Sequence, residues 1–244
     1  MISKLALQDG FWPLLALDHG LTVGNRDSVD IANIPRILSD CADSVSASVM
    51  TYGVARTIQR KFPMPIIIQC FGAPLNHPKI QVCSVDDALR IGASGVAVQV
   101  NFRLEGRTML DQLKSVARFS SESHARNLPV LFMVAPHEMS DLEDLCHSMR
   151  FCIELGADLI KVKCDSTGMS SDESQYFGRL LRESPPILLA GGTKSAKIIE
   201  EAKAAKALGF SGYCIGRNIF QSPNPGEVAR SLREAWTNSI KQED

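Results

Sequence analysis

The sequence predicts a closed (β/α)8 barrel, an α/β fold. Eight short apolar segments recur along the 244 residues, and stretches with helical spacing separate them. Continuous apolar segments are typical of parallel strands that are buried on both faces. Eight such strands fit a barrel, which needs about 250 residues, so we expect a single barrel domain over residues 1–244. The rival is an open doubly wound sheet, whose G-x-G-x-x-G turn is replaced here by Asp18-His19-Gly20.

The eight predicted strands cover residues 13–17, 44–50, 65–70, 95–100, 129–134, 158–162, 186–190 and 211–215. The clearest helical spacing covers residues 85–91, 108–126, 142–155, 195–208 and 227–240. Gly156 and Gly209 follow two of these stretches, and we expect both to cap the helix that precedes them.

Composition narrows the class of partner. The chain has 26 basic and 27 acidic side chains and a net charge of -1, so no overall field draws it to nucleic acid or to a membrane surface. Its seven cysteines are scattered without a C-x-x-C motif, which is typical of reduced thiols in the cytosol. With no secretory leader and no membrane-spanning segment in the pattern, we expect a cytoplasmic protein that binds a small molecule.

The sixth predicted strand contains two lysines. Alternation along a strand places Leu159, Lys161 and Lys163 on one face, and the opposite face is apolar and suits the helix side. Both lysines should therefore point into the barrel. A desolvated lysine beside a second cation has a lowered pKa and supplies the neutral amine that attacks a ketone. The alternative is that both lysines are structural and pair with carboxylates such as Asp18 or Glu138.

Two glycine-containing turns follow the seventh and eighth strands. Gly191 and Gly192 begin the first turn, and Gly216 and Arg217 form the second. Barrels often bind phosphate between these two loops, because glycine allows backbone N–H groups to approach an anion. Arg217 supplies a two-pronged donor. We expect a phosphorylated ligand here, and the alternative is that the glycines only make tight turns.

Asp18 ends the first strand, where it could orient a substrate hydroxyl or transfer a proton, or could cap a turn. His137, just after the fifth strand, is a second acid/base candidate. The remaining histidines have no metal-ligand spacing, and His124 and His147 should face solvent on helices. We expect no metal site and no organic cofactor.

Four motifs, spread in order over nearly the whole chain, resemble the archaeal-type (DhnA-like) class I fructose-bisphosphate aldolases. They are Leu15-Ala16-Leu17-Asp18-His19-Gly20, Gly156-Ala157-Asp158-Leu159-Ile160-Lys161, Ala190-Gly191-Gly192-Thr193-Lys194 and Gly216-Arg217-Asn218-Ile219-Phe220-Gln221. The resemblance implies that Lys161 forms the imine, that Asp18 lies in the substrate pocket and that Gly191, Gly192, Gly216 and Arg217 bind phosphate. It also implies large homo-oligomeric rings, such as decamers.

One position departs from that family. Its aldolases carry a proton-transferring tyrosine where this chain has Ala135, before Pro136. The relatives also include an autoinducer-2 thiolase, which resembles this chain in lacking that tyrosine, and the aminodideoxyheptulosonate synthases. Another specificity within the family is therefore open, with Tyr52, His137 or Lys163 replacing the tyrosine.

We interpret the sequence as a Schiff-base aldolase that acts on a phosphorylated ketose, such as fructose 1,6-bisphosphate, or on a related ketone. An acyl-transferring thiolase or a heptulosonate-type synthase is the alternative within the family. An isomerase or a flavin-phosphate protein could use the same barrel. A catalytically inactive structural or regulatory barrel is the rival from another class, and Ala135 is what motivates it.

Overall fold

A computed structural model describes residues 2–5, 10–25, 27–58, 62–74, 77–102, 105–134, 142–164 and 169–238. Eight parallel strands close into a barrel, in chain order around the ring. They are β1 (Trp12–Ala16), β2 (Ala47–Thr51), β3 (Ile66–Gln69), β4 (Gly95–Val100), β5 (Val130–Val134), β6 (Leu159–Val162), β7 (Ile187–Ala190) and β8 (Gly212–Ile215). The predicted (β/α)8 fold is confirmed, and each observed strand overlaps its predicted segment.

A helix follows each strand in the described part of the chain. These helices are α1 (Ile34–Cys41), α2 (Tyr52–Ile58), α3 (Val85–Arg90), α4 (Gly106–Ala125), α5 (Leu142–Glu154), α6 (Ser171–Glu183), α7 (Ile198–Leu208) and α8 (Pro225–Asn238). One-turn helices at Gly20–Val23 and Arg217–Phe220 and 3-10 turns at Ile2–Leu5 and Ile31–Asn33 add to them. A two-stranded antiparallel ribbon, Phe71–Gly72 with Ile80–Gln81, lies between β3 and α3.

Helix ends follow local chemistry. Gly209 caps α7 in the left-handed conformation, with a φ of 112°, as the sequence predicts. Helix α7 begins at Ile198, three residues later than predicted. Helix α6 was not among the predicted stretches, although Ser170 and Glu173 form a reciprocal capping box at its start. None of the described helices combines the length and the apolar character that a membrane crossing requires.

Two apolar layers surround the strands. Leu159 packs inside the barrel, whereas Ile160 and Val162 pack outside it under the helices. This alternation matches the prediction for β6. Leu5 and Trp12 belong to the inner cluster, and the Ser46 hydroxyl donates to the Leu5 carbonyl over 2.6 Å. The amino-terminal turn therefore packs against the amino ends of the strands, and the opposite end stays open for a ligand.

Candidate active site

A cavity of about 120 Å³ opens among the carboxyl ends of the strands. Six of the residues predicted for the site line it: Asp18, Lys161, Gly191, Gly192, Gly216 and Arg217. The other residues of the lining were not predicted as site residues: His19, Thr22, Val23, Gln99, Met133, Val134, Ala190 and Cys214. The fold thus brings the predicted imine lysine and the predicted phosphate loops to one cavity.

Lys161 reaches this cavity from β6. Its backbone is in register with Met133 of β5 and Leu188 of β7, and both of these neighbours are buried in the inner cluster. Neighbours in register on parallel strands point to the same face, so Lys161 points into the barrel. The amine lies beside the cavity and not in bulk solvent, as a nucleophile on a bound ketone requires.

The electrostatics of Lys161 differ from the prediction. Burial lowers the pKa of the amine, but Cys214 and the Asp18 carboxylate raise it more, so the pKa lies above the ordinary lysine value. The expected lowering was wrong, because the sequence pattern did not show that groups from β8 and from the end of β1 meet the amine. At neutral pH Lys161 therefore rests mainly as an ammonium, and the reactive amine fraction grows as pH rises.

Lys163 lies in a different place from the one predicted. The side chain of Lys163 is exposed and extends over the turn that follows β7. A Cβ built on Gly192 in that turn would lie 2.9 Å from Nζ of Lys163. Gly192 has a φ of +63°, so glycine suits both the backbone and this close approach. The cation that lowers the pKa of Lys161 is Arg217, not Lys163. Lys163 thus lies beside the glycine turn and outside the cavity lining.

Asn218 links the two predicted phosphate loops through hydrogen bonds. Its side-chain amide donates to the carbonyl of Gly191 over 3.1 Å and to that of Thr193 over 3.3 Å, and its oxygen accepts from the Ser195 backbone N–H over 2.7 Å. The sequence motif contained Asn218 without indicating this role, because the contact joins loops 25 residues apart. Asn218 fixes the spacing between the two glycine turns.

Arg217 carries an unsatisfied donor at the cavity. Its Nε is buried and has no hydrogen-bond partner among the described residues, and the side chain lines the cavity. Leaving a buried charged donor unpaired is costly, and an anionic ligand would satisfy it. The arrangement suits an anion held between Arg217 and the glycine turns.

Asp18 and His19 close the site on the β1 side. Nδ1 of His19 lies 3.9 Å from an Asp18 carboxylate oxygen, and the ring stands edge-on to Phe220. Burial, opposed by Asp18 and reinforced by Lys161 and Arg217, lowers the pKa of His19 to about 4. His19 is therefore neutral at neutral pH, and Asp18 supplies the negative charge beside the amine.

The sequence pattern did not identify Gln99 and Cys214 as site residues, because the strands that contain them look uniformly apolar. Gln99 is the only amide in β4 and is buried in the cavity wall. Its position near the carboxyl end of a strand was the signal that could have found it. Cys214 looks like an ordinary small core residue in sequence. The structure pairs none of the seven cysteines in a disulfide, and six of them are buried.

Tyr52 and His137 are the remaining acid/base candidates from the sequence. His137 and Ala135 fall outside the described residues. Tyr52 packs against the outer core and does not line the cavity. His124 and His147 are exposed, as predicted, and His124 pairs with Asp158 over 2.9 Å. Among the described residues no group of three or more histidine, cysteine or acidic side chains could hold a metal ion.

Residues 13–222 match the family model described as DeoC/LacD family aldolase. The chain belongs to the DeoC/LacD aldolase family. This DeoC/LacD aldolase is therefore an enzyme, a class I aldolase that acts on carbon–carbon bonds. The family resemblance that the sequence motifs indicated is therefore confirmed. Membership of an aldolase family argues against the interpretation of the chain as a catalytically inactive barrel.

Curated relatives of this DeoC/LacD aldolase include a 2-amino-3,7-dideoxy-D-threo-hept-6-ulosonate synthase 1 from Archaeoglobus fulgidus. That protein is 27% identical over 98% of this chain and 90% of its own length. A 2-amino-4,5-dihydroxy-6-oxo-7-(phosphonooxy)heptanoate synthase from Streptomyces griseus is 31% identical over 68% of this chain and 61% of its own.

Solved structures confirm the barrel of the DeoC/LacD aldolase. An archaeal fructose 1,6-bisphosphate aldolase superposes with a TM-score of 0.82 at 23% identity, covering 96% of both chains. A Schiff-base-forming fructose-1,6-bisphosphate aldolase superposes with a TM-score of 0.81 at 24% identity, covering 96% of this chain and 97% of its own. At these identities the likeness concerns the fold.

Proposed function

We propose that the chain cleaves or forms a carbon–carbon bond in a phosphorylated ketose or related ketone through a Schiff base on Lys161. The observation that carries the proposal is the shared cavity: the amine of Lys161 and the unsatisfied Nε of Arg217 line the same space. A ligand with a carbonyl and a phosphate can meet both groups at once. Gly191, Gly192 and Gly216 provide the backbone that closes around the phosphate.

The reaction follows from the groups at the cavity. The neutral amine of Lys161 attacks the ketone carbon, and loss of water from the carbinolamine gives a protonated imine. The imine withdraws electrons while the adjacent carbon–carbon bond breaks, leaving an enamine and releasing an aldehyde. Protonation of the enamine and hydrolysis return the amine. Asp18, next to the amine, is our candidate for moving protons during these steps.

Two other candidates keep supporting roles in this proposal. Lys163, lying over Gly192, provides positive charge at the edge of the phosphate loops. His137 comes three residues after the last residue of β5 in the sequence, and it stays an acid/base candidate on the sequence alone.

The substrate pair deserves a separate test. The synthases from Archaeoglobus fulgidus and Streptomyces griseus favour a heptulosonate-type condensation as the second candidate. An acyl-transferring thiolase is the third, because Ala135 replaces the tyrosine that the fructose-bisphosphate enzymes of the family use. Purified enzyme supplied with fructose 1,6-bisphosphate, with ketose monophosphates or with ketone–aldehyde pairs will identify the productive pair by its products.

We further propose that the enzyme works in the cytoplasm as a homo-oligomer without a metal or an organic cofactor. Activity should survive incubation with a strong chelator, because the imine replaces the metal as the electron sink. Loss of activity that added divalent metal restores would contradict this proposal.

Replacing the nucleophile tests the proposal. Lys161→Arg keeps the positive charge but cannot form an imine, so we expect cleavage to fall by at least about 10³-fold, as for loss of a covalent nucleophile. Lys114→Arg, at an exposed position on α4, is the matched control and should retain activity. Cleavage that persists in Lys161→Arg would overturn the proposal.

A further inference from the structure

Gln99 brings a neutral amide to the wall of the cavity. Its side chain lines the same space as Lys161 and Arg217, and the residue is only 8% exposed. Among the residues that the structure describes, none forms a hydrogen bond with this side-chain amide. A shielded amide without a partner is costly, and a polar group of a ligand in the cavity can supply that partner.

Strand register places Gln99 level with Lys161. Gln99 of β4 is in register with Met133 of β5, and Met133 is in register with Lys161 of β6. Met133 belongs to the inner cluster, and neighbours in register on parallel strands point to the same face. Because adjacent strands lie about 4.8 Å apart, about 10 Å separates the backbones of Gln99 and Lys161. A short carbon chain that starts at the imine carbon can therefore reach the amide.

The phosphate loops lie on the other side of Lys161. The eight strands follow one another around the ring in chain order, so β4 and β8 face each other across the barrel and β6 stands midway between them. Gly191 and Gly192 follow β7, and Arg217 follows β8. A ketone with its phosphate at Arg217 and its carbonyl carbon on Lys161 therefore directs the rest of its chain toward Gln99.

The chemistry of glutamine suits an uncharged polar group. Its amide has two N–H donors and a carbonyl acceptor, which match a hydroxyl group that both donates and accepts. The amide has no charge with which to neutralise a phosphate, whereas the guanidinium of Arg217 has one at the opposite side of the cavity. The two sides of the cavity therefore favour different parts of one substrate.

We propose that Gln99 is a specificity-determining residue that hydrogen-bonds a hydroxyl group on the aldehyde portion of the substrate. This inference rests on the proposed function and narrows its substrate class to ketones whose aldehyde portion carries a hydroxyl group. In the condensation direction, the enamine on Lys161 attacks the aldehyde carbon, the carbon–carbon bond forms and the aldehyde oxygen takes up a proton. Gln99 orients the aldehyde during this step and transfers no proton itself.

The experiment compares two aldehydes with the same carbon chain, one with hydroxyl groups and one without. Purified enzyme receives dihydroxyacetone phosphate together with D-glyceraldehyde or with propanal, and kcat/KM for each aldehyde is measured from the condensation product. Gln99→Met replaces the amide with an apolar side chain of similar length. The ratio of kcat/KM for glyceraldehyde to that for propanal should fall by roughly 2- to 10-fold in this variant, the range for loss of one hydrogen bond.

The ratio separates recognition of the hydroxyl group from packing. A general loss of activity or of folded protein lowers both values of kcat/KM by the same factor and cancels from the ratio. Gln175→Met, at an exposed position on α6, is the matched control and should keep the wild-type ratio. Should Gln99→Met fail to fold, Gln99→Leu fills a similar space without a hydrogen-bonding group and provides the same comparison.

Borohydride trapping of dihydroxyacetone phosphate on the wild type, mapped by mass spectrometry, separates this inference from the proposed function. Label on Lys161, with a lowered ratio in the Gln99 variant but not in Gln175→Met, supports the role of Gln99. Label on Lys161 with an unchanged ratio in the Gln99 variant, or with no condensation of either aldehyde by the wild type, overturns that role and leaves the imine on Lys161 standing. Absence of label on Lys161 overturns the proposed function, and the inference with it.

Discussion

Gly216 lies where the chain has no room for a side chain. A Cβ at this position would be 2.3 Å from the carbonyl oxygen of Ala16 and 2.3 Å from Cε1 of His19. Real Cβ contacts are essentially never shorter than 3.0 Å, so Gly216→Ala must open the gap to the β1 backbone by about 0.7 Å. The start of the Arg217 turn moves with it.

The expected cost has two parts. Overpacking of this kind destabilises a protein by about 1–3 kcal/mol, which lowers Tm by roughly 2–12 °C for a chain of this size. Misplacing a substrate-binding group by the better part of 1 Å costs roughly 10- to 100-fold in rate. We therefore expect Gly216→Ala to lower kcat/KM for a phosphorylated ketone by about that factor.

Thermal unfolding and steady-state cleavage measure these two effects. Gly20→Ala is the matched control, because Gly20 directly follows the cavity residue His19 in the sequence but a Cβ there meets nothing within 4 Å. Gly20 begins a helical turn, so its replacement by alanine should leave Tm unchanged or slightly higher. A Gly216→Ala enzyme with wild-type Tm and wild-type kcat/KM would refute the assignment of Gly216 to a close approach at the phosphate loops.

Three further predictions concern charges at the cavity. Arg217→Lys should raise KM for phosphorylated ketones about tenfold or more with a smaller change in kcat, because a two-pronged donor is lost. Steady-state kinetics measure both constants, and an unchanged KM contradicts the prediction. Asp18→Asn should move imine trapping to lower pH, because the carboxylate raises the pKa of Lys161; a pH series of trapping measures it. His19→Phe should lose less stability than the wild type when the pH falls from 7 to 4. Urea unfolding of both proteins at the two pH values measures this difference.

The sign of the His19 effect follows from its pKa. The folded value is about 4 and the ordinary value is 6.5, so between these limits the unfolded chain binds more protons than the folded one. Stability from this group is complete above about pH 6.5 and is lost as pH falls toward 4. The difference corresponds to about 3 kcal/mol. If the wild type and His19→Phe lose equal stability between pH 7 and pH 4, this reasoning fails.

The barrel was predictable because each strand has a local pattern. Continuous apolar segments located all eight strands, and alternation along β6 placed Lys161 on the interior face from the sequence alone. Gly209 also carried its own signal, since few other residues accept its positive φ. These features depend on neighbours in sequence, so a single sequence contains them.

The detailed electrostatics of the site were not predictable, because they depend on contacts between distant strands. The pKa of Lys161 is raised by Asp18 and Cys214. Asp18 lies more than 50 residues before Lys161 in the sequence, and Cys214 lies more than 50 residues after it. Lys163 shares the face of Lys161 by alternation, yet it follows the end of β6 and turns over Gly192. Asn218 joins two loops through bonds that no local pattern encodes.

The most direct test of the account is to locate the covalent bond. Borohydride reduction of the wild-type enzyme with dihydroxyacetone phosphate, followed by peptide mapping, should find the reduced adduct on Lys161 and on no other lysine. An adduct on Lys163, or no adduct together with undiminished cleavage of the ketose, would contradict the central claim.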